Sequence, residues 1–404
     1  MRKRLNIDIS EYDYELPGQK IAKHPLQVRD QSLLLYYENR TIDHTKFHSL
    51  PDLLGSGDLL VFNDTRVIQA RLQFYKISGA KIELFCLEPV EPADYQVAFE
   101  QRYSCRWRCL VGNAKKWKHE ELCLNVISPS GNILLSARKI KQEVNSTIIE
   151  FYWDDHNISF AEIIETAGLT PIPPYLNRPS EYGDKESYQT VYCRYNGSVA
   201  APTAGLHFTD SLLNRLNNKG IQMANLTLHV GAGTFVPVRE HNAANHVMHS
   251  EFVQADREFI RKVRDHQGRV IAVGTTSLRS LESLYRLGIA AARSELDPMH
   301  IKLSQWEIYD SEGHLDRKES LGHLIAFMDR HEMSILQFHT KIMIVPGYQF
   351  RIVNGLVTNF HQPKSTLLLL IAAFIGDKWR DVYDYAMKNE FRFLSYGDGS
   401  ILFP

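Results

Sequence analysis

The sequence predicts an α/β protein of two domains: an α/β domain formed from both chain ends, residues 1–70 and 154–404, with an all-β barrel-like domain, residues 71–153, inserted between them. Three observations predict it. At 404 residues the chain is too long for most single cores. From about 71 to 153 short apolar runs follow one another, separated by Gly, Pro, Asn and Ser, which is the texture of a small barrel or sandwich. Beyond residue 190, strand-like and helix-like segments alternate in the rhythm of βαβ units on a parallel sheet.

The elements follow in order. "LLLYYE" (33–38) and "DLLVFND" (58–64) are strands, the second ending on the turn formers Asn63 and Asp64. "KIELFCLEPV", "RWRCLVGNAKKWK", "EELCLNVI", "NILLSARKI" and "STIIEFYW" are the barrel strands. Ser159 with Glu162 three residues on is a capping box opening a helix over 159–167. "GLTPIPPYLNRP" cannot be regular structure, because its prolines remove donors and fix φ. Then come a helix at 209–219, a strand at 224–230, a helix at 254–267, a strand at 269–274 and a helix at 277–288. Residues 318–333 have amphipathic helical periodicity. Strand "KIMIV" (341–345), a "PGYQF" turn and strand "GLVTNF" precede an apolar helix at 366–376, and the tail closes the fold.

Composition excludes several classes. Hydrophobic residues are 44% and charged residues 23%, and the net charge is -1, so a nucleic-acid surface must be a local patch. "CRWRCLVGNAKKWK" (105–118) is such a patch, with Arg106, Arg108, Lys115, Lys116 and Lys118 beside Trp107 and Trp117. "MRKRLNIDIS" lacks the apolar stretch of a signal peptide, and "TLLLLIAAFIG" is too short to span a bilayer, so a cytoplasmic protein with no membrane partner is expected. The five cysteines form no CxxC pair; a zinc site at Cys105 and Cys109 would have to recruit Cys123 and His119, and reduced thiols are the preferred reading.

Five polar clusters sit where strands end or loops turn, the places where α/β sheets bind ligands. "VFNDTRV" carries Asn63, Asp64, Thr65 and Arg66; "APTAGLHFT" carries Thr203, Gly205, His207 and Thr209. "TLHVGAGT" carries His229, Gly231, Gly233 and Thr234. "VGTTSLR" carries Thr275, Thr276, Ser277 and Arg279, free donors at a helix start that suit a carboxylate, a phosphate or ribose hydroxyls, or an ordinary cap. "VTNFHQPKST" carries Asn359, His361, Lys364, Ser365 and Thr366, with the lysine opposing the helix dipole. His207 and His229 are candidate general acids or bases, or histidines that hold loop backbone. His241, His246, His249 and Glu251 raise a metal-hydrolase reading, but the spacing is not HExxH and no metal is expected.

Together, "NGSVAAPTAGLHFT", "TLHVGAGTFVPV", "MHSE", "RVIAVGTTSLRSLES", "LVTNFHQPKSTLL" and "RFLSYGD" resemble, in order, the signature blocks of the S-adenosylmethionine:tRNA ribosyltransferase-isomerases of the queuosine pathway. "DYELPGQKIAKHPLQVRD" and "GDLLVFNDTRVIQARL" extend the likeness over residues 10–400. The resemblance implies transfer and isomerisation of the ribosyl part of S-adenosylmethionine onto the 7-aminomethyl-7-deazaguanine wobble base of tRNA, giving epoxyqueuosine and releasing adenine and methionine. S-adenosylmethionine is then a co-substrate, with no cofactor, and the protein a monomer or homodimer. His207 or His229 would be the base at C5′, with Glu251 grouped beside them. Asn63 to Arg66 would bind nucleotide or ribose, and Arg279 or Lys364 a carboxylate or tRNA phosphate. Tyr396 and Asp398 of the last block join the substrate-binding set. The sequence departs from the family at Leu33, Ala80, Thr170, Ile172, Gln362 and Gly399, and residues 290–340 include a family-atypical insertion. The alternative is a family member that binds tRNA or nucleotide with altered or no turnover.

Overall fold

The computed structural model describes residues 6–118, 120–128, 131–231, 238, 240–309 and 315–404. The first strands are β1 Leu33–Glu38, β2 Thr41–Lys46, β3 Leu59–Asn63 and β4 Thr65–Val67. Next come β5 Arg71–Tyr75, β6 Lys81–Glu91, β7 Ser104–Gly112, β8 Leu122–Ser128, β9 Gly131–Gln142 and β10 Thr147–Trp153. The remainder are β11 Tyr195–Ser198, β12 Gln222–His229, β13 Glu251–Asp256, β14 Val270–Val273, β15 Lys302–Leu303, β16 Ile335–Thr340, β17 Gly355–Asn359 and β18 Gly399–Leu402. Helices are α1 Leu50–Leu53, α2 Tyr95–Glu100, α3 Phe160–Ala167, α4 Asp184–Ser187 and α5 Asp210–Asn218. They continue with α6 Arg257–Asp265, α7 Thr275–Ala292, α8 Arg317–Arg330, α9 Thr366–Ile375 and α10 Trp379–Lys388.

Ten strands form one sheet in the order β15-β16-β13-β12-β3-β14-β17-β18-β1-β2. Its centre, β12-β3-β14-β17, is parallel, as the alternation predicts. Its flanks are not: β13 runs antiparallel to β12 and β16, and β18 antiparallel to β17. Every residue of β3 is buried, the pattern of a parallel strand covered on both faces. Leu59 and Val61 enter the core that contains α7 and α8, while Leu60 and Phe62 enter the core under α1 and α5.

Residues 71–153 supply the whole of a six-stranded antiparallel sheet, β5-β6-β7-β10-β9-β8. Its edge strands β5 and β8 come back into contact, so the sheet is a nearly closed barrel. Trp107, Phe151 and Trp153 fill it, and Phe160 of α3 plugs the core. The capping box at Ser159 and Glu162 is present and starts α3.

Two expected elements change. The helix expected over 254–267 begins only at Arg257, because Glu251–Asp256 completes β13 and Asp256 caps the helix through Phe259 N–H at 2.6 Å. "KIMIV" forms no strand; its neighbour Ile335–Thr340 does, with alternate residues buried. The backbone of 341–345 is held by two isolated backbone bonds, Lys341 N–H to Leu303 O and Met343 N–H to Gln305 O, and by side chains, Arg279 Nε donating to Ile342 O and Tyr309 bridging Met343 O and Val345 N. Residues 290–340 contribute β15 and β16 to the edge of the large sheet and α8, which packs on α7 and α6. Among the described residues no helix is long and apolar enough to cross a membrane.

Candidate active site

A cavity opens at the carboxyl ends of the central parallel strands. After β14 the chain passes through Gly274, at φ 90°, straight into α7, and after β17 it turns through Asn359 to Gln362. Thr203, Thr275, Thr276, Asn359, His361 and Ser365 line this cavity with Ala200 to Ala204. The sequence motifs 201–209, 273–283 and 357–366 therefore converge, because each follows or flanks a strand that ends at the same edge.

His207 lies directly behind the wall. It ends a short 3-10 turn, Thr203–His207, and its ring stacks on Phe47 at 4.6 Å. Its Nδ1 is 2.8 Å from Ser32 Oγ, and its Nε2 is 3.0 Å from Asn359 Nδ2. An amide NH2 only donates, so Nε2 accepts and the ring proton sits on Nδ1, facing the Ser32 hydroxyl. Burial pushes the imidazole down to about 4, and it is neutral at physiological pH. His361 is the second buried imidazole, with Nε2 2.9 Å from Thr358 Oγ1 and its pKa driven by burial down to about 3.

His229 belongs to a different cluster, at the seam between the sheets. Its Nδ1 is 3.0 Å from Thr65 Oγ1, and Tyr95 of α2 and Phe252 of β13 lie against its ring at 4.3 and 6.0 Å. Burial alone lowers it to about 3. Asn63 fixes the loop beneath: its Oδ1 accepts from Thr65 N–H and Leu228 N–H, and its Nδ2 donates to Leu228 O. Asp64 accepts from Thr227 Oγ1 at 2.7 Å, and burial raises its carboxyl above the usual range. Arg66 is exposed.

The remaining sequence candidates have partners of their own. Glu251 and Arg279 pair at 2.6 Å. Lys364, at φ 54°, pairs with Asp13 at 2.7 Å, which offsets its unfavourable place before α9. Thr209 and Ser365 are N-caps, on Leu212 and Leu368, and Ser277 Oγ donates to Val273 O. Thr366 is the half-buried first residue of α9. Tyr396 donates to Asp184, and Asp398 clamps Arg392 and Leu33 N–H. Gly205 gives way to Tyr192, whose hydroxyl would lie 1.9 Å from a Cβ there. Gly231 follows the cavity residue Val230; Gly233 and Thr234 lie outside the described residues. Sequence reading missed Ser32, Thr358 and Tyr95, whose roles come from contacts across long sequence separations.

The basic stretch 105–118 is only half as expected. Trp107 and Trp117 are buried in the barrel and offer no stacking face: strand alternation turns Trp107 inward on β7, and Trp117 follows the 3-10 turn Ala114–Lys116. Arg106 is paired with Glu91 and Glu150, and Arg108 with Glu88 and Glu143. Lys115, Lys116 and Lys118 are exposed. His241 and His246 face Asp8 and Glu240 separately, and among the described residues no three His, Cys, Asp or Glu side chains converge as a metal site; His119 lies outside them.

The sequence model of the queuosine biosynthesis protein family matches residues 9–402. A relative from Halothermothrix orenii, named S-adenosylmethionine:tRNA ribosyltransferase-isomerase, is 37% identical over 401 residues, covering 98% of this chain and 99% of its own. Relatives of the same name from Trichlorobacter lovleyi and Magnetococcus marinus are 37% and 35% identical, over 98% of this chain and 99% and 94% of theirs. A crystal structure described as S-adenosylmethionine tRNA ribosyltransferase from Thermotoga maritima aligns with a TM-score of 0.46 at 29% identity, over 97% of this chain and 99% of that one.

Proposed function

The chain belongs to the queuosine biosynthesis protein family, and from that we propose that it transfers the ribosyl part of S-adenosylmethionine to tRNA and isomerises it. The acceptor is the 7-aminomethyl-7-deazaguanine wobble base, the product epoxyqueuosine, and adenine and methionine leave. The observation that carries this reading is the match over residues 9–402 together with relatives of that name at 35–37% identity over nearly the whole chain. That continuity disfavours a binding-only relative.

The site supports the chemistry. The sulfonium acidifies the C5′ protons of the ribose, so a group must take one, and adenine must be protonated as it leaves. Three buried histidines are uncharged at neutral pH, each with one ring nitrogen free of a proton. Both ring nitrogens of His207 are engaged, so we assign it to positioning. His229 and His361 each have one ring nitrogen in a hydrogen bond to a threonine, which leaves the other to accept the C5′ proton. A histidine that holds a proton this weakly passes it on readily, which suits its return to the departing adenine. We also read residues 71–153 as a separate inserted domain and the cytoplasm, where tRNA is found, as the compartment.

The test is incubation with S-adenosylmethionine and tRNA bearing the aminomethyl base. Adenine release with the matching nucleoside mass is expected. Formation of S-adenosylhomocysteine without adenine would overturn the reading.

A further inference from the structure

We propose that the cavity at the start of α7 seats the amino-acid end of the sulfonium substrate, its carboxylate on the backbone N–H groups of Thr275 and Thr276 and its ammonium on the side-chain oxygen of Asn359. The proposal rests on the function proposed above and deepens it, by fixing which end of the substrate enters here.

Two independent observations point to a zwitterion. The first is the helix start. α7 runs for 18 residues from Gly274 with no side-chain cap. The N–H groups of Thr275 and Thr276 face no acceptor among the described residues. Such donors, at the positive end of a helix, call for an anion. The second is Asn359, which is 3% exposed and lines the same cavity. Its Oδ1 has no hydrogen-bond partner. Nδ2 faces His207 Nε2 at 3.0 Å, and His207 Nδ1 lies 2.8 Å from Ser32 Oγ. In that arrangement the amide oxygen is the atom left without a partner, and it calls for a donor.

The two features are spaced for one small group. β14 and β17 are parallel neighbours with Val273 opposite Val357, and Gly274 N–H donates to Val357 O at 2.8 Å. Thr275 and Asn359 thus leave adjacent strand ends, about 4.8 Å apart. A carboxylate and an ammonium on one carbon atom span that gap. A phosphate would satisfy the helix but set another acceptor against Asn359 Oδ1. Among the described residues no Asp, Glu, Lys or Arg lines the cavity, which suits a ligand group of zero net charge. The two cations that the sequence offers for the carboxylate are already paired, Arg279 with Glu251 and Lys364 with Asp13.

The experiment is calorimetric titration of the full chain with S-adenosylmethionine, L-methionine, L-methionine methyl ester and 5′-methylthioadenosine, which lacks the amino-acid end. Wild type is expected to bind L-methionine at least about 10-fold more tightly than its ester. Asn359→Ala is expected to weaken S-adenosylmethionine and L-methionine about 10-fold or more and 5′-methylthioadenosine less than about 2-fold. Thr275→Pro removes one donor at the helix position where proline is tolerated, and is expected to act in the same way should Asn359→Ala fail to fold. Equal binding of ester and acid, or equal weakening of S-adenosylmethionine and 5′-methylthioadenosine, would overturn the subsite. A wild type that releases adenine yet shows either result keeps its function and loses the subsite. A wild type that selects L-methionine yet releases no adenine keeps the subsite and loses the function.

Discussion

The carboxylate of Glu251 lies 2.6 Å from the guanidinium of Arg279, and both side chains are buried. Glu251 opens β13, and Arg279 sits in the first turns of α7, where it also donates to Ile342 O. Burial raises the Glu251 carboxyl, and Arg279 opposes that rise. Removing one partner strands the other charge in the interior. Arg279→Met is expected to cost about 3–5 kcal/mol in urea unfolding, and Glu251→Gln with Arg279→Met to recover most of it. A single-variant cost below about 1 kcal/mol would show that the pair does not hold α7 to the sheet.

Acid should destabilise the protein through its histidines. Their folded pKa values, about 4 for His207 and about 3 for His229 and His361, lie below the ordinary 6.5. Between those limits the unfolded chain binds more protons, so this stability is full above pH 6.5 and falls as pH falls. Each histidine contributes a slope of about 1.4 kcal/mol per pH unit in that window. Asp64 and Glu251, raised by burial, slope the other way, so a difference measurement is needed. His229→Gln is expected to flatten the pH dependence of unfolding between pH 4 and 6 by about 1.4 kcal/mol per unit. An unchanged slope would mean that His229 is not held neutral by the fold.

Gly197 packs its backbone on the His229 ring. A Cβ there would lie 2.5 Å from Nδ1, the atom that Thr65 meets at 3.0 Å. Gly197→Ala is expected to shift the ring, cost about 1–3 kcal/mol and lower adenine release more than the loss of folded protein explains. Gly183, with nothing within 4 Å of its Cβ, is the control. Equal activity of the two variants per folded molecule would remove His229 from the reaction.

The exposed lysines and the paired arginines of 105–118 should separate in a salt titration. Replacing Lys115, Lys116 and Lys118 by Gln is expected to reduce the salt slope of tRNA binding by about 2–3. Arg106→Gln is expected to leave that slope alone, because its charge is neutralised by Glu91 and Glu150. A slope unchanged by the lysine variant would place tRNA elsewhere.

Local signals in the sequence were reliable where local physics decides. The capping box at Ser159 and Glu162 starts α3, and the run 58–64 reads as a strand, which β3 is. "KIMIV" misleads because its apolar run is buried without joining a ladder, its backbone being satisfied by scattered bonds to Leu303, Gln305, Arg279 and Tyr309 from distant segments. The cavity was legible as three motifs ending at strand termini. Its wiring was not: Ser32 and Asn359 meet His207 across separations of 175 and 152 residues, which no spacing rule encodes.

The place of β18 has a consequence for the sheet. This four-residue strand lies between β17 and β1, so the hairpin of β1 and β2 joins the large sheet only through it. Ser32, one residue before β1, is brought to His207 by that same docking. The sheet's path from its centre to its amino-terminal edge thus runs through the last strand of the chain, and the far ends of the sequence meet at the wall that holds His207.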